Sequence, residues 1–377
     1  MSYTRREIVK GLGAALAYSL GPTMTLTNCS GPAARPPIKI GQIGVGHVHA
    51  YKLEVYRAST DYDVIGIVEQ DDELRRQAEK QTAYRGLPWL TQEQLLNVSG
   101  LQAVLVETRV RDALNVAGAC VEAGKHIHLD KPPGESLSQL RGILQAAARQ
   151  NLLVQMGYMY RYNPGVVLLR DFLSRGWLGD VFEIDAVMSR IVEPTERRGM
   201  AEYGGGMMFE LGCHLIDILV SLMGKPTKVT AIRQHTGRIE DGLMDNTLAV
   251  FEYPHALATV KSSAMEVEGF ARRHFVVCGT EGTFHIQPLD DPPDQRQLRP
   301  FRLPGGSSPV RIALSTSRDH YRKGYQEVSL PKYTRYVDDA ADMACIIRGE
   351  KLTDFPYEHD LIVQAAVLQA CGLESDI

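Results

Sequence analysis

Residues 38–50 read IKIGQIGVGHVHA, and the fold turns on how that stretch is divided. Residues 38–43 form a short apolar run that suits a strand. Gly44 and Gly46 mark a turn, and the residues from His49 onward begin a helix. Gly44 permits a tight turn. Gly46 lets the backbone approach a pyrophosphate, which would then rest on the helix N-terminus. A strand before and a helix after is the context the dinucleotide fingerprint requires. The third position is His49, where Gly or Ala is usual, so a glycine turn that merely joins strand to helix is the competing reading. The next strand, DVIGIVE, ends at Glu69, roughly 20 residues past the glycines, where an acid would bind the adenosine ribose hydroxyls. Gln70 follows rather than Arg, which favours NAD over NADP. A surface acid at a strand end is the plainer reading of Glu69.

Outward from this stretch, strands and helices alternate. DDELRRQAEKQTA reads as a helix, LQAVLVET as a strand, DALNVAGACVEAG as a helix and KHIHLDKPPG as a strand. SLSQLRGILQAAARQN is then a helix and LLVQMGYMY a strand. Such alternation predicts a doubly wound parallel sheet over residues 38–156. Residues 157–377 differ. After the helix PGVVLLRDFLSRG come VFEIDAVMS, KVTAIRQHT, NTLAVFEYP, ALATVKSSAM, RRHFVVCGT and GTFHIQ. Their alternating faces suit a large, mostly antiparallel sheet with one covered face. Residues 286–333 are rich in Pro, Gly, Arg and Ser and read as an extended excursion. Two helices, RYVDDAADMACIIRG and EHDLIVQAAVLQACG, close an α/β chain.

Composition narrows the class. The chain has 377 residues, 44% apolar and 23% charged, as soluble globular proteins do. A net charge of −4 with no basic stripe gives no case for nucleic acid. Six cysteines lie scattered without a CxxC, so neither a disulfide framework nor a zinc cage is expected. Residues 1–30 pair Arg5 and Arg6 ahead of a short apolar run, the layout of an export signal of the twin-arginine type. That predicts a periplasmic or cell-envelope location. The run is too short and glycine-rich for a comfortable membrane span. LTNC, ending at Cys29, faintly resembles a lipoprotein cleavage box, which makes Cys29 a candidate lipid anchor. Residues 31–37 read as a linker.

Residues 204–217, GGGMMFELGCHLID, put Glu210, His214 and Asp217 at spacings of four and three, one face of a helix behind a glycine hinge. A buried network, a metal site and an acid–base pair all fit. Glu and His at i,i+4 can chelate, with Asp217 or His359 as a third ligand, but the spacing matches no established site and no metal is expected. GYMYRYNP places Tyr158, Tyr160, Arg161, Tyr162 and Asn163 together. If the segment is a strand, the tyrosines share a face, and aromatic rings with guanidinium and amide donors suit a polyhydroxylated ring. A packed tyrosine cluster is the alternative.

The order of these motifs resembles the glucose-fructose oxidoreductase, inositol dehydrogenase and MocA family. The pieces are IGVGHVHA, VEAGKHIHLDKP, MGYMYRYNPG, GWLGDV, GGGMMFELGCHLID, CGTEGTF and YEHDL, spanning about Ile38 to Leu373. The resemblance implies a Rossmann domain followed by an α/β domain, and a homo-oligomer formed through the second-domain sheet.

 It further implies that Lys131, in the Asp130-Lys131-Pro132 motif, reaches substrate and nicotinamide together, and that His214 and Glu210 stand on the helix facing the nicotinamide. Gly44, Gly46, His47 and Val48, with Glu69, Thr108 and Asp130, would then line the nucleotide. Three departures stand out. Asp130 replaces a Glu, Glu210 replaces an Asp, and Thr108-Arg109 replaces Thr-Pro, with Ala113 where a histidine is usual.

The resemblance, together with a base of suitable intrinsic pKa in His214, predicts hydride transfer between NAD and a sugar, glycoside or polyol carbinol. A cationic nicotinamide near Lys131 would depress its pKa and make it a proton partner. Tyr158, Tyr160, Arg161, Asn163, Glu210 and His214 are the candidate substrate contacts. Two alternatives stay open: NAD-assisted glycoside cleavage through transient oxidation and elimination, and a non-catalytic sugar- or nucleotide-binding protein.

Overall fold

In the computed structural model, which describes residues 35–289 and 308–373, the opening stretch forms strand β1 (Ile38–Ile43). It is joined by β2 (Tyr62–Val68), β3 (Ala103–Val106), β4 (His126–Leu129) and β5 (Val154–Met156). Every pairing is parallel, in the order β2-β1-β3-β4-β5. Strands buried on both faces read as continuous apolar runs, and all four residues of β3 are buried. The helices Val110–Glu122 and Leu137–Arg149 each bury an apolar stripe in the same core. Chain order reverses beside β1, with β2 on one side and β3 on the other. Such a switch point opens a crevice beyond the carboxyl ends of the strands.

The second sheet contains β6 (Val181–Val187), β7 (Lys228–Gln234), β8 (Asn246–Tyr253), β9 (Ala256–Ser263) and β10 (His274–Gly279). Strands β11 (Gly282–Ile286), β12 (Val310–Leu314) and β13 (Gly324–Val328) extend it. The order is β13-β12-β11-β10-β6-β9-β8-β7, antiparallel except where β6 meets β9. Burial alternates along β8, as one covered face requires. The helix Tyr357–Ala370 packs on β7 and β8. Each fully buried Phe or Ile on the covered face contributes about 1.5–3 kcal/mol, and Phe251, Phe275 and Phe284 are wholly buried. The opposite face leaves Ile232 and Leu257 exposed.

Two expectations are corrected. The excursion over residues 286–333 contains β12 and β13, which continue the sheet. The tyrosine tract is not a strand: β5 stops at Met156, and Met159–Tyr162 is a 3-10 turn. Asn163 and Pro164 are the reason. The Asn163 carboxamide accepts the Gly165 and Val166 N–H groups, capping the helix Pro164–Ser174. No helix among the described residues is long and apolar enough to cross a membrane. The export signal and Cys29 lie outside the described residues.

Candidate active site

The carboxyl ends of β1, β3 and β4 converge at the switch point. After β1, Gly44 takes φ +91°, and a Cβ there would lie 2.6 Å from the Thr108 backbone. Only glycine lets the two strand ends meet in this way. The Val45 N–H donates to the Glu69 carboxylate at 2.9 Å, and the Asp71 N–H donates to its other oxygen at 2.9 Å. Glu69 therefore braces the glycine turn from the end of β2. A cleft of about 330 Å³ opens here, lined by Gly44, Gly46, Glu69, Asp71, Thr108 and Arg109 among others. Val48, on the same loop, is 63% exposed. A glycine-walled cleft, a braced acid and a bare valine together fit a dinucleotide. Arg109 is tied across the cleft to Asp71 at 2.7 Å.

His47 and Asp130 are turned inward from this cleft. His47 Nε2 lies 3.1 Å from the Lys131 carbonyl oxygen, and its Nδ1 lies 3.2 Å from Asp130. Asp130 accepts the Lys131 N–H at 2.7 Å and pairs with Lys52. Their side chains are buried and engaged with each other.

Lys131 follows β4. Its ammonium donates to the Glu210 carbonyl at 3.0 Å and lies 3.4 Å from the Glu210 carboxylate. Burial alone would push Lys131 down, but Glu210, Cys213 and Asp130 together outweigh it and raise the ammonium above its ordinary value. Burial likewise pushes Glu210 up, yet Lys131 together with His47, His49 and Arg190 holds it below the usual carboxylate range. Asp130 and Glu210 thus grip Lys131 from its two ends, one at the backbone and one at the ammonium.

Glu210 lies on a π-helical turn, Met208–Gly212, ahead of the α-helix Cys213–Met223. The wider turn breaks the expected single face. Glu210 reaches Lys131, Asp217 reaches Arg161, and no hydrogen bond joins Glu210 to His214 among the described residues. The glycines before it are close-packed rather than a hinge. A Cβ on Gly205 would lie 2.3 Å from Cys371 Sγ, and one on Gly206 2.4 Å from the Met244 carbonyl oxygen. His214 is buried, its Nδ1 has no hydrogen-bond partner among the described residues, and burial first, then Lys131, holds its imidazole neutral. Tyr160 stands edge-on to it at 5.0 Å, with Tyr158 and His49 each at 6.2 Å. The Tyr158 hydroxyl is also buried and unpartnered.

Arg161 and Asn163, expected as substrate contacts, are both engaged by other parts of the fold. The Arg161 guanidinium is buried, bound through Nε and Nη2 to Asp217 and through Nη2 to Asp360 at 2.6 Å. Asn163 is the helix cap described above. The sequence reading passed over Lys52 and Glu107, both buried around Asp130. The available signal was Glu107 itself, a carboxylate directly after the wholly apolar β3.

Comparisons with known proteins agree with this architecture. Residues 38–158 match the family described as an oxidoreductase family with an NAD-binding Rossmann fold, and residues 166–285 match the GFO/IDH/MocA C-terminal domain. The uncharacterized oxidoreductase YdgJ of Escherichia coli is 25% identical over 71% of this chain and 76% of its own length. The Bacillus subtilis scyllo-inositol 2-dehydrogenase (NADP(+)) IolW is 26% identical over 37% of this chain, and the match spans only 39% of that enzyme. The 3-ketoreductase KijD10 from Actinomadura kijaniata, solved with NADP and TDP-benzene, shares the fold at a TM-score of 0.70 and 19% identity, covering 88% of this chain and 96% of that one. The chain belongs to the Gfo/Idh/MocA family of NAD(P)-dependent oxidoreductases.

Proposed function

We propose that the protein moves a hydride between a carbinol carbon of a sugar, glycoside or polyol and a tightly held NAD. One observation carries this reading: Lys131, Glu210 and His214, whose Nδ1 has no hydrogen-bond partner among the described residues, meet at the ends of the parallel strands, tied through His47 to the glycine loop. A nicotinamide held from the glycine-walled cleft toward these residues would accept or return the hydride. Lys131, aimed by Glu210, donates a hydrogen bond to the carbinol oxygen. His214 Nδ1 takes the hydroxyl proton. Glu210 and the Tyr158 hydroxyl bind neighbouring hydroxyls, with Tyr160 walling the ring. The polyol name of IolW supports this substrate class. The test is mass spectrometry of nucleotide released from natively purified protein, followed by a panel of monosaccharides, glycosides and inositols with nicotinamide reduction monitored. NAD release and reduction by a panel member are expected. A protein that neither carries nor binds nucleotide would sink the reading.

NAD is preferred over NADP because a 2′-phosphate at the ribose end would meet the Glu69 and Asp71 carboxylates, while Arg109 is already paired. Binding titrations should show NAD at least about tenfold tighter, since a like-charge contact costs a kilocalorie or more per mole, and Glu69→Ala should narrow the gap. Equal affinities in the wild type would contradict it.

Export is supported by Arg5 and Arg6 ahead of the apolar run. The full chain should fractionate with the periplasm or envelope, and Arg5→Lys with Arg6→Lys should hold it in the cytoplasm; wild-type protein confined to the cytoplasm would count against export. Homo-oligomers form through the open face of the second sheet, which bares Ile232 and Leu257. Sedimentation should show Leu257→Arg shifted toward monomer, and an unchanged assembly would refute that face.

A further inference from the structure

His49 fills the fingerprint position where glycine or alanine is usual, and the hydride transfer described above leaves it without a task. Its ring stands where the glycine loop meets the substrate side. The imidazole centroid lies 6.2 Å from that of His214 and 5.9 Å from the Tyr336 ring. Asp130, just past the end of β4, lies behind it, with Oδ1 3.3 Å from His49 Nδ1.

That contact decides which nitrogen carries the hydrogen. Burial would push the Asp130 carboxyl up, but His47, Lys52 and His49 together hold it well below the usual carboxylate range, so it is ionised. An ionised carboxylate only accepts, so His49 Nδ1 donates and the lone pair is on Nε2. Burial, working against Asp130, draws the imidazole down to about 3, and the ring is neutral at physiological pH. Nε2 makes no hydrogen bond among the described residues. The side chain is 11% exposed, so the acceptor is not sealed off. His214, beside it, is a second neutral imidazole, and its Nδ1 also has no hydrogen-bond partner among the described residues. Two neighbouring acceptors suit two neighbouring O–H donors, and hydroxyls on adjacent carbons supply them. A lone alcohol would leave one lone pair unmet.

We propose that His49 Nε2 accepts a hydrogen bond from the hydroxyl on one carbon adjacent to the carbinol, so that His49 and His214 together read a vicinal diol. This rests on the hydride reading and adds a specificity-determining contact to it. Asp130, which fixes the tautomer of His49, is a positioning residue for that contact. Glu210 and Tyr158 remain for hydroxyls on the other side of the carbinol.

The test uses natively purified full-length protein with its NAD, and follows nicotinamide reduction by myo-inositol and methyl glucoside, each beside its monodeoxy analogues. For the wild type, loss of one hydroxyl adjacent to the oxidised carbon should lower kcat/KM at least about tenfold, because a desolvated acceptor is left unpaired. His49→Gly should lower kcat/KM for the parent polyol by a similar factor and leave the deoxy analogue nearly unchanged, so the discrimination collapses. Its nucleotide affinity should hold or improve, since glycine is the residue usual there. His49→Phe keeps a ring and removes the nitrogens, and should lose the discrimination too; circular dichroism confirms both folds. Discrimination kept in both variants would overturn the assignment, and so would discrimination lost in His49→Gly but kept in His49→Phe, which would make the ring a packing element. A His49→Gly defect confined to nucleotide affinity would also overturn it. A wild type inert toward every polyol would sink the hydride reading and this assignment with it, whereas an active wild type with unaltered variants sinks the assignment alone.

Discussion

Lys131→Met is expected to slow nicotinamide reduction by at least about 10³-fold, within the range of a lost general acid–base or electrostatic group, while nucleotide affinity changes only a few-fold. Lys131 is the buried cation between the glycine loop and the substrate-side helix, and its ammonium touches the backbone and carboxylate of Glu210. Methionine keeps the stem and removes the charge. Glu210 is left without its partner but is partly exposed, so water can solvate it. The change therefore acts on chemistry more than on folding. Single-turnover absorbance and nucleotide titration separate the two effects. Turnover within tenfold of the wild type would make Lys131 a structural residue.

Arg161→Met is expected to destabilise the fold by about 3–5 kcal/mol, the scale for stripping one partner from a buried ion pair. Asp217 and Asp360 are buried on either side of the guanidinium, and removing it leaves two like charges with no counterion of that quality. In the variant both carboxyls are driven toward the protonated form. A carboxyl whose folded-state pKa is raised binds protons preferentially when folded, so the variant regains stability as pH falls toward the unfolded value near about 4. Urea unfolding at two pH values reads both effects. A loss below about 1 kcal/mol, with a weakened substrate response instead, would restore Arg161 as a substrate contact.

The contrast between these residues shows what a sequence discloses. Parallel strands covered on both faces and one-face alternation are local signals, so both sheets were legible. VRIAL was not, because a five-residue strand is lost inside a Pro-, Gly- and Arg-rich stretch. The tyrosine tract has period-two aromatics, but the Asn163 cap and Pro164 commit the following residues to a helix, and a tight turn precedes it. The partners of Arg161 lie 56 and 199 residues away, and nothing local announces them. Glu210 lies 79 residues from Lys131, so whether it met Asp130, His214 or Lys131 depended on tertiary contact. The π-turn that aims it has no reliable sequence mark. His49 was visible as a departure from the fingerprint, but the buried acids beneath it came together only in the fold.

The central claim is that a carbinol hydrogen passes as hydride to a nicotinamide held beside Lys131 and His214. The most direct measurement offers the NAD-loaded protein carbon-deuterated glucose and inositol and analyses the nucleotide by mass spectrometry. The account predicts a single deuterium on the reduced nicotinamide in the wild type, and the same label appearing at least about 10³-fold more slowly in Lys131→Met. A reduced nucleotide free of deuterium, or an equal labelling rate in the variant, would contradict it.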